Sequence, residues 1–175
     1  MVERHGVNLH QYTDDCQLYL STPVSGAVSV LSTCLNDVNA WLSRSRLRLN
    51  ASKTHVMWLG SSQLLDKIDI CVVPVISACV TVSDTVRDLG VILDGRLTMA
   101  DHVTAVCRSC YYQLRQLRSV ARSLSLEAVK TVVHAFISSR LDYCNSLLTG
   151  VNDGLLRRLQ SVQNSNMIRY LVYDT

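Results

Sequence analysis

Near Gly95 and Arg96 the spacing of the apolar residues along this chain changes from mainly strand-like runs, with one helix among them, to helical throughout. That change limits what the chain can fold into. Before it, apolar residues come mostly in short runs rich in Val, Ile, Leu and Tyr, broken by polar turns, which is the pattern of strands. After it they recur at three- and four-residue steps, which is the pattern of helices packed along one face. Such a chain is expected to be α+β, with strands and one helix in front and a helical bundle behind. At 175 residues and 48% hydrophobic content it is long and apolar enough to bury a core without disulfides or metals.

Each half can be read further. Val7 to Tyr12 and Cys16 to Leu20 flank Thr13-Asp14-Asp15 and predict a β-hairpin with two aspartates at its tip. Val24, Ala27, Val28, Leu31, Leu35, Val38 and Leu42 share one helical face and predict a helix ending near Ser43. Leu47 to Leu49 and Thr54 to Leu59 read as brief strands around the turn-forming Asn50-Ala51-Ser52-Lys53. Ile68 to Val82 reads as β-rich, and Val86 to Leu93 as one further strand closed by Asp94-Gly95.

Behind Arg96, one stripe runs from Val103 to Ala121 and a second from Leu126 to Leu148, with Ser125 as a start and Gly150 as a stop. Asn152 or Asp153 should cap a last helix carrying Leu155, Leu159, Val162 and Ile168. The expected domains are therefore 1–95 and 96–175.

Charge follows the same division. The first 95 residues hold seven Lys/Arg against nine Asp/Glu, and the rest hold ten against five. A basic rear favours polyanions, and an acidic front can hold cations. The seven cysteines are scattered and the start is charged. Free thiols in an intracellular, cytoplasmic or nuclear protein are expected, not a secreted one. The most apolar stretch, 70–82, is too short to span a bilayer.

The residues with the clearest chemistry are Tyr12-Thr13-Asp14-Asp15. Adjacent carboxylates repel one another unless a cation sits beside them. Their hard oxygens suit Mg²⁺, which takes one or two carboxylates and keeps water or phosphate as its other ligands. A solvated turn is the plainer alternative for such a pair.

The stretch from His5 to Ser21, centred on Tyr12-Thr13-Asp14-Asp15 and followed by Gln17-Leu18-Tyr19, resembles the catalytic hairpin of reverse transcriptases, in particular those of non-LTR (LINE-type, CR1/jockey-like) retrotransposons. Thr13 stands where the family usually has Ala. Further ordered matches resemble the same family. Trp41-Leu42, Leu47 to Thr54 and Met57 to Gly60 look like the next palm motif. Val86 to Asp94 looks like the primer-grip hairpin, and His134 to Asn145 and Leu155 to Asn164 look like the thumb.

The resemblance implies RNA-directed DNA synthesis by two-metal nucleotidyl transfer, with the metal ions roughly 3.5–4 Å apart. It implies Asp14 as the main metal ligand, Asp15 as a supporting carboxylate and Lys53 as a cation near the leaving phosphate. Tyr12 would lie near the nucleotide and primer end, and Leu89, Gly90 and Val91 in the hairpin that holds the primer terminus. The implied partners are an RNA template, a DNA primer and, in an intact enzyme, deoxynucleoside triphosphates.

The family's other essential carboxylate and its fingers lie upstream of this hairpin, and only thirteen residues precede Asp14. The polypeptide alone is therefore expected not to polymerise. It would be a fragment, with a nucleic-acid-binding thumb module or a functionless remnant of a mobile element as the rival readings. A palm sheet without its partner strands should also self-associate.

Arg108, Arg115, Arg118 and Arg122 recur at helical spacings, and Arg157, Arg158 and Arg169 follow on the last helix. Such a face would track a phosphate backbone, or simply be solvated. Cys107 and Cys110 have half a zinc spacing, but no second pair follows, so buried thiols are expected. His134 is expected to be partly buried, and Trp41 and Trp58 to anchor the core.

Overall fold

The computed structural model describes residues 1–172, with side chains to Ser165; the expectations for Ile168 and Arg169 concern side chains outside the described residues. The fold is α+β. The chain divides into two compact units, 1–86 and 87–175.

The front unit opens with a single 3₁₀ turn, Val2–His5, and then the expected hairpin of β1 (Asn8–Tyr12) and β2 (Asp15–Tyr19). The two strands pair antiparallel with Tyr12 opposite Asp15, so Thr13 and Asp14 form a two-residue loop. Helix α1 (Val24–Arg44) follows, with Pro23 at its N-cap, where a fixed φ and a missing N–H cost a helix nothing. Its inner face carries Ala27, Cys34 and Leu35. Val2, Val7 and Cys34 are buried together, with Leu18, Leu20, Val30 and Val38 packed around them. His5 Nε2 lies 2.9 Å from Asp37 Oδ2 and ties the first turn to α1.

After a short helix α2 (Ser62–Leu65), β3 (Val72–Val75) and β4 (Ala78–Thr81) form a second antiparallel hairpin. Strand β3 packs on α1, with Val73 and Val75 buried and Pro74 between them exposed. That alternation is the period of a half-buried strand.

Two expected strands of this unit do not form. Leu47 to Leu49 is irregular. Thr54 to Leu59 reaches only one parallel bridge, Val56 to Val82, with Ser83 N–H donating to Val56 O at 2.8 Å. A strand exists only against a partner; among the described residues Leu47 to Leu49 has no bridge partner, and Thr54 to Leu59 has one at Val56 alone. Trp41 is half exposed, not a core anchor, whereas Trp58 is partly buried and its Nε1–H donates to Ile70 O at 3.2 Å.

At the division the expected single strand from Val86 to Leu93 is a hairpin instead. Strand β5 (Thr85–Asp88) turns through Leu89 and Gly90 into β6 (Val91–Asp94). The Asp94 carboxylate then organises the next loop. Its Oδ1 accepts from Arg96 N–H and Thr98 N–H, both at 3.1 Å, and its Oδ2 accepts from Met99 N–H at 2.9 Å and Thr98 Oγ1 at 3.1 Å. Burial alone would raise the Asp94 pKa, but these bonds outweigh it and hold the carboxyl below its usual range.

Helix α3 (Ala100–Val120) is the spine of the rear unit and packs on α6 (Asp153–Val172). Between them run α4 (Leu126–Val133), a π turn over His134–Ser138, α5 (Ser139–Asp142) and a 3₁₀ turn over Asn145–Leu148. The second stripe thus contains one widened turn, and its helix ends at Asp142, not near Leu148. The reason lies in its spacing. Val129, Val133, Ile137 and Leu141 are all four apart, and each step overshoots a 3.6-residue turn by about 40°. The π turn absorbs that drift and keeps them facing the core.

Two helix starts are capped as expected. Ser125 Oγ accepts from Ala128 N–H at 3.3 Å, and Asn152 Oδ1 accepts from Gly154 N–H at 2.7 Å. Nine residues, from Val103 to Val162, form the rear core, with Ile137 and Val162 fully buried. Cys107 and Cys110 are buried free thiols in it. Burial pushes the Cys110 thiol up to about 11. The buried histidine is His102, not His134, which is exposed. Among the described residues no helix is long and apolar enough to cross a membrane.

Candidate nucleic-acid and metal sites

The aspartate hairpin is built by its loop. Thr13 has φ of 53°, and it alone of the two loop residues has a positive φ. A β-branched residue rarely takes this conformation, and such strain persists only where the flanking structure holds it. Here Thr13 Oγ1 donates to Tyr12 O at 2.7 Å, and Gln11 Nε2 donates to Thr13 O at 2.9 Å. Asp14, Asp15 and Tyr12 are all exposed at the tip.

Two adjacent, solvated carboxylates fit the hard oxygen set of Mg²⁺ as part of a site. Among the described residues no third His, Cys, Asp or Glu joins them in a group that could hold a metal ion. Lys53 closes the 3₁₀ turn Ala51–Lys53, where Asn50 Oδ1 accepts from Ser52 N–H at 3.0 Å and from Ser52 Oγ at 2.6 Å. Lys53 is exposed, and among the described residues no ion pair joins it to Asp14 or Asp15.

The second hairpin tip, in the rear unit, is differently held. Leu89 has φ of 43° and Gly90 of 88°, so both loop residues are left-handed, the pattern of a type I′ turn. Glycine adopts this freely, while leucine is strained there. Tyr143 braces the turn from the far side of the helical segment: its hydroxyl donates to Leu89 O. A methyl group placed on Gly90 would sit 3.5 Å from the Tyr143 ring. Tyr143 is the C-cap of α5 and leaves the helix through an extended ψ of 119°, and Cys144 after it has φ of 54°. Val91 is buried, so this tip offers Leu89 and Gly90 to solvent. Tyr143 lies within the thumb-like motif His134 to Asn145, and this role is not evident from the motif itself. Its cue is a tyrosine directly after the helix-ending Leu141-Asp142.

The arginines separate by place. Arg108 and Arg158 line one groove between α3 and α6, with Thr104, Cys107, Tyr111 and Ser161. Arg115 and Arg118 continue along the exposed side of α3, Arg122 lies on the 3₁₀ turn Ala121–Ser123, and Arg157 lies on α6 outside the groove. Tyr111 Oη and Ser161 Oγ are 3.0 Å apart across the two helices. Both were missed from sequence, although each stands three residues after a groove arginine and so on its side of the helix. Burial raises the Cys107 thiol, and the nearby Arg158 charge opposes this.

No family model matches the chain, and no solved structure matches it. A probable RNA-directed DNA polymerase from transposon BS of Drosophila melanogaster is 31% identical over 113 residues. Those residues are 63% of this chain and 12% of the fly protein, so the chain corresponds to a small part of that relative's length. The similarity supports a relationship between this chain and reverse transcriptases.

Proposed function

We propose that this chain is a segment of an RNA-directed DNA polymerase of the non-LTR retrotransposon type, with a partial palm in residues 1–95 and a thumb-like region in 96–175. The observation that carries this reading is the 31% identity to the transposon polymerase, taken with a strained Tyr-Thr-Asp-Asp tip on a two-residue hairpin loop. In this reading Asp14 and Asp15 hold Mg²⁺, and Tyr12, Lys53, Leu89, Gly90 and Val91 lie around the nucleotide and the primer end. A bound Mg²⁺ supplies charge stabilisation at the transferring phosphoryl group. Template RNA and primer DNA are the proposed partners, and the basic rear supports them. The exposed Leu9, Tyr12 and Tyr19 of the first hairpin support self-association through its unpaired strands.

The 175-residue chain by itself is proposed to be catalytically silent, because two carboxylates without a third ligand hold a divalent ion weakly and cannot fix a second. The test uses Mn²⁺ as a paramagnetic probe on the full chain, together with primer extension. Mn²⁺ at millimolar concentration should broaden the amide signals of residues 13–15 selectively, and Asp14→Asn should abolish the effect. Absence of broadening at the tip contradicts the metal assignment. Template-dependent synthesis that disappears with Asp14→Ala contradicts the inactivity of the isolated chain.

A further inference from the structure

We propose that the groove between α3 and α6 is a two-arginine clamp for a single phosphodiester, and that Arg108 and Arg158 together dominate the chain's affinity for nucleic acid. The inference rests on the reading above for its ligand, but its geometry stands apart from it.

Arg108 and Arg158 come from different helices and face one groove of about 320 Å³. No carboxylate lines it, and among the described residues neither guanidinium has an ion-pair partner. Two guanidiniums held on rigid helices present forks of N–H donors that match the oxygens of a phosphate, whereas isolated lysines or a diffuse field would not. A monoanionic group between them relieves their mutual repulsion.

The hydroxyls complete the donor set in a limited way. Thr104 Oγ1 already donates to Ala100 O at 2.7 Å, so it can only accept. Tyr111 and Ser161 share one hydrogen bond at 3.0 Å and have two O–H groups between them. One hydrogen is used within the pair, and one remains to donate to a ligand oxygen. The groove therefore offers two guanidiniums and one hydroxyl proton to an acceptor-rich anion. On α3, Thr104, Arg108, Tyr111, Arg115 and Arg118 fall along one stripe, with Arg118 about 15 Å beyond Arg108 at 1.5 Å per residue. The clamp thus opens onto a basic track, which suits a backbone phosphate within a longer strand better than a free ion.

The experiment compares the full chain with three double variants: Arg108→Gln/Arg158→Gln, Arg108→Lys/Arg158→Lys and Arg115→Gln/Arg118→Gln. The probes are a short RNA–DNA duplex and inorganic phosphate, read by anisotropy and by the arginine Nε–Hε signals in NMR spectra. All six substitutions fall on exposed side chains. The Gln pair at 108 and 158 should weaken duplex binding about 30-fold and lower the slope of log K against log salt by about 0.9, the value for one phosphate. The Lys pair should lose about 10-fold with the slope retained, since charge remains but the forks do not. The Gln pair at 115 and 118 should lose less than either.

Equal losses for the two Gln pairs, or a Lys pair that binds like the parent, overturn the clamp in favour of a diffuse field. If phosphate shifts Arg108 and Arg158 while the parent chain ignores the duplex, the anion site stands. In that case the phosphodiester ligand, and the polymerase reading behind it, is wrong. If neither probe shifts these two arginines, the clamp is wrong even where the duplex binds.

Discussion

The two units differ in how they reach a core. The rear buries nine residues in one cluster drawn from α3, the 3₁₀ turn after it, α4, the π turn and α6, and most of its packing is helix on helix. The front buries three in its main cluster, and each of its sheets is a pair of strands with no third partner among the described residues. A lone hairpin is marginal in water, and helix contacts are local and cheap to close. The rear is therefore a self-supporting unit, whereas the front resembles part of a larger sheet. The two hairpin tips repeat the contrast. Tyr143 braces Leu89 and Gly90, while among the described residues the Thr13-Asp14 loop is held by side-chain bonds of Gln11 and Thr13 themselves.

Four changes break or sharpen this contrast. The largest effect is expected from Ile137→Ala, which empties a fully buried site at the π turn; it should cost about 2–5 kcal/mol and lower the rear unit's unfolding midpoint. Hydrogen exchange resolved by residue should show the loss across α3, α4 and α6 and spare α1. A uniform loss over both units would mean that they unfold as one.

Val7→Ala should cost about 2 kcal/mol, from two lost methyl-sized groups, and should be felt in β1, β2 and α1 alone. Because that unit begins with less core, the same exchange experiment should show its amides opening globally in the variant. Protection of β1 and β2 that survives the substitution would mean the front is better packed than its core indicates.

Tyr143→Phe removes the hydroxyl that bonds Leu89 O and should cost about 1 kcal/mol. Its effect should be local, with faster exchange at Gly90 and Val91 and little change at Thr13 and Asp14. Equal loosening of both tips would deny the brace.

Acid should weaken the rear unit in two stages, each partial. Burial first, and then the Arg87 charge, hold His102 below the usual histidine range, and its Nδ1 accepts from Ile92 N–H at 3.3 Å only when unprotonated. A depressed histidine contributes stability that is complete above its unfolded value near 6.5 and is lost as pH falls through the folded one. Asp94 acts in the same direction at lower pH: its contribution is present above 3.8 and is lost as pH falls through its depressed folded value. Urea midpoints for the rear unit should therefore drop below pH 6.5 and again below pH 4. His102→Gln should remove the first drop, and its persistence in that variant would exclude His102 as the cause.

Much of the local structure was legible in the sequence. The first hairpin, the span of α1 and the caps at Ser125 and Asn152 follow from period and turn chemistry, which act over a few residues. What was not legible depends on partners distant in sequence. Leu47 to Leu49 and Thr54 to Leu59 have strand composition, but among the described residues their pairing amounts to the single Val56 to Val82 bridge. Val86 to Leu93 looks continuous because Leu89 is apolar, yet its φ of 43° makes it a turn residue. His102 rather than His134 is buried because β6 comes back against α3, a contact no helical stripe encodes. Of the candidate sites, the adjacent aspartates could be read directly. The grouping of Arg108 with Arg158 could not, since it depends on α3 meeting α6 across fifty residues.

The proposal for the chain as a whole is that a nucleic-acid-binding rear accompanies an incomplete catalytic front. The most direct test is equilibrium binding of a primer–template hybrid to the full chain between 50 and 300 mM salt. The proposal predicts binding at low salt, the same with Asp14→Asn as with the parent chain, and weakening steeply as salt rises, with a log–log slope of about −3 or steeper. Absence of binding at 50 mM, or affinity indifferent to salt, would contradict it.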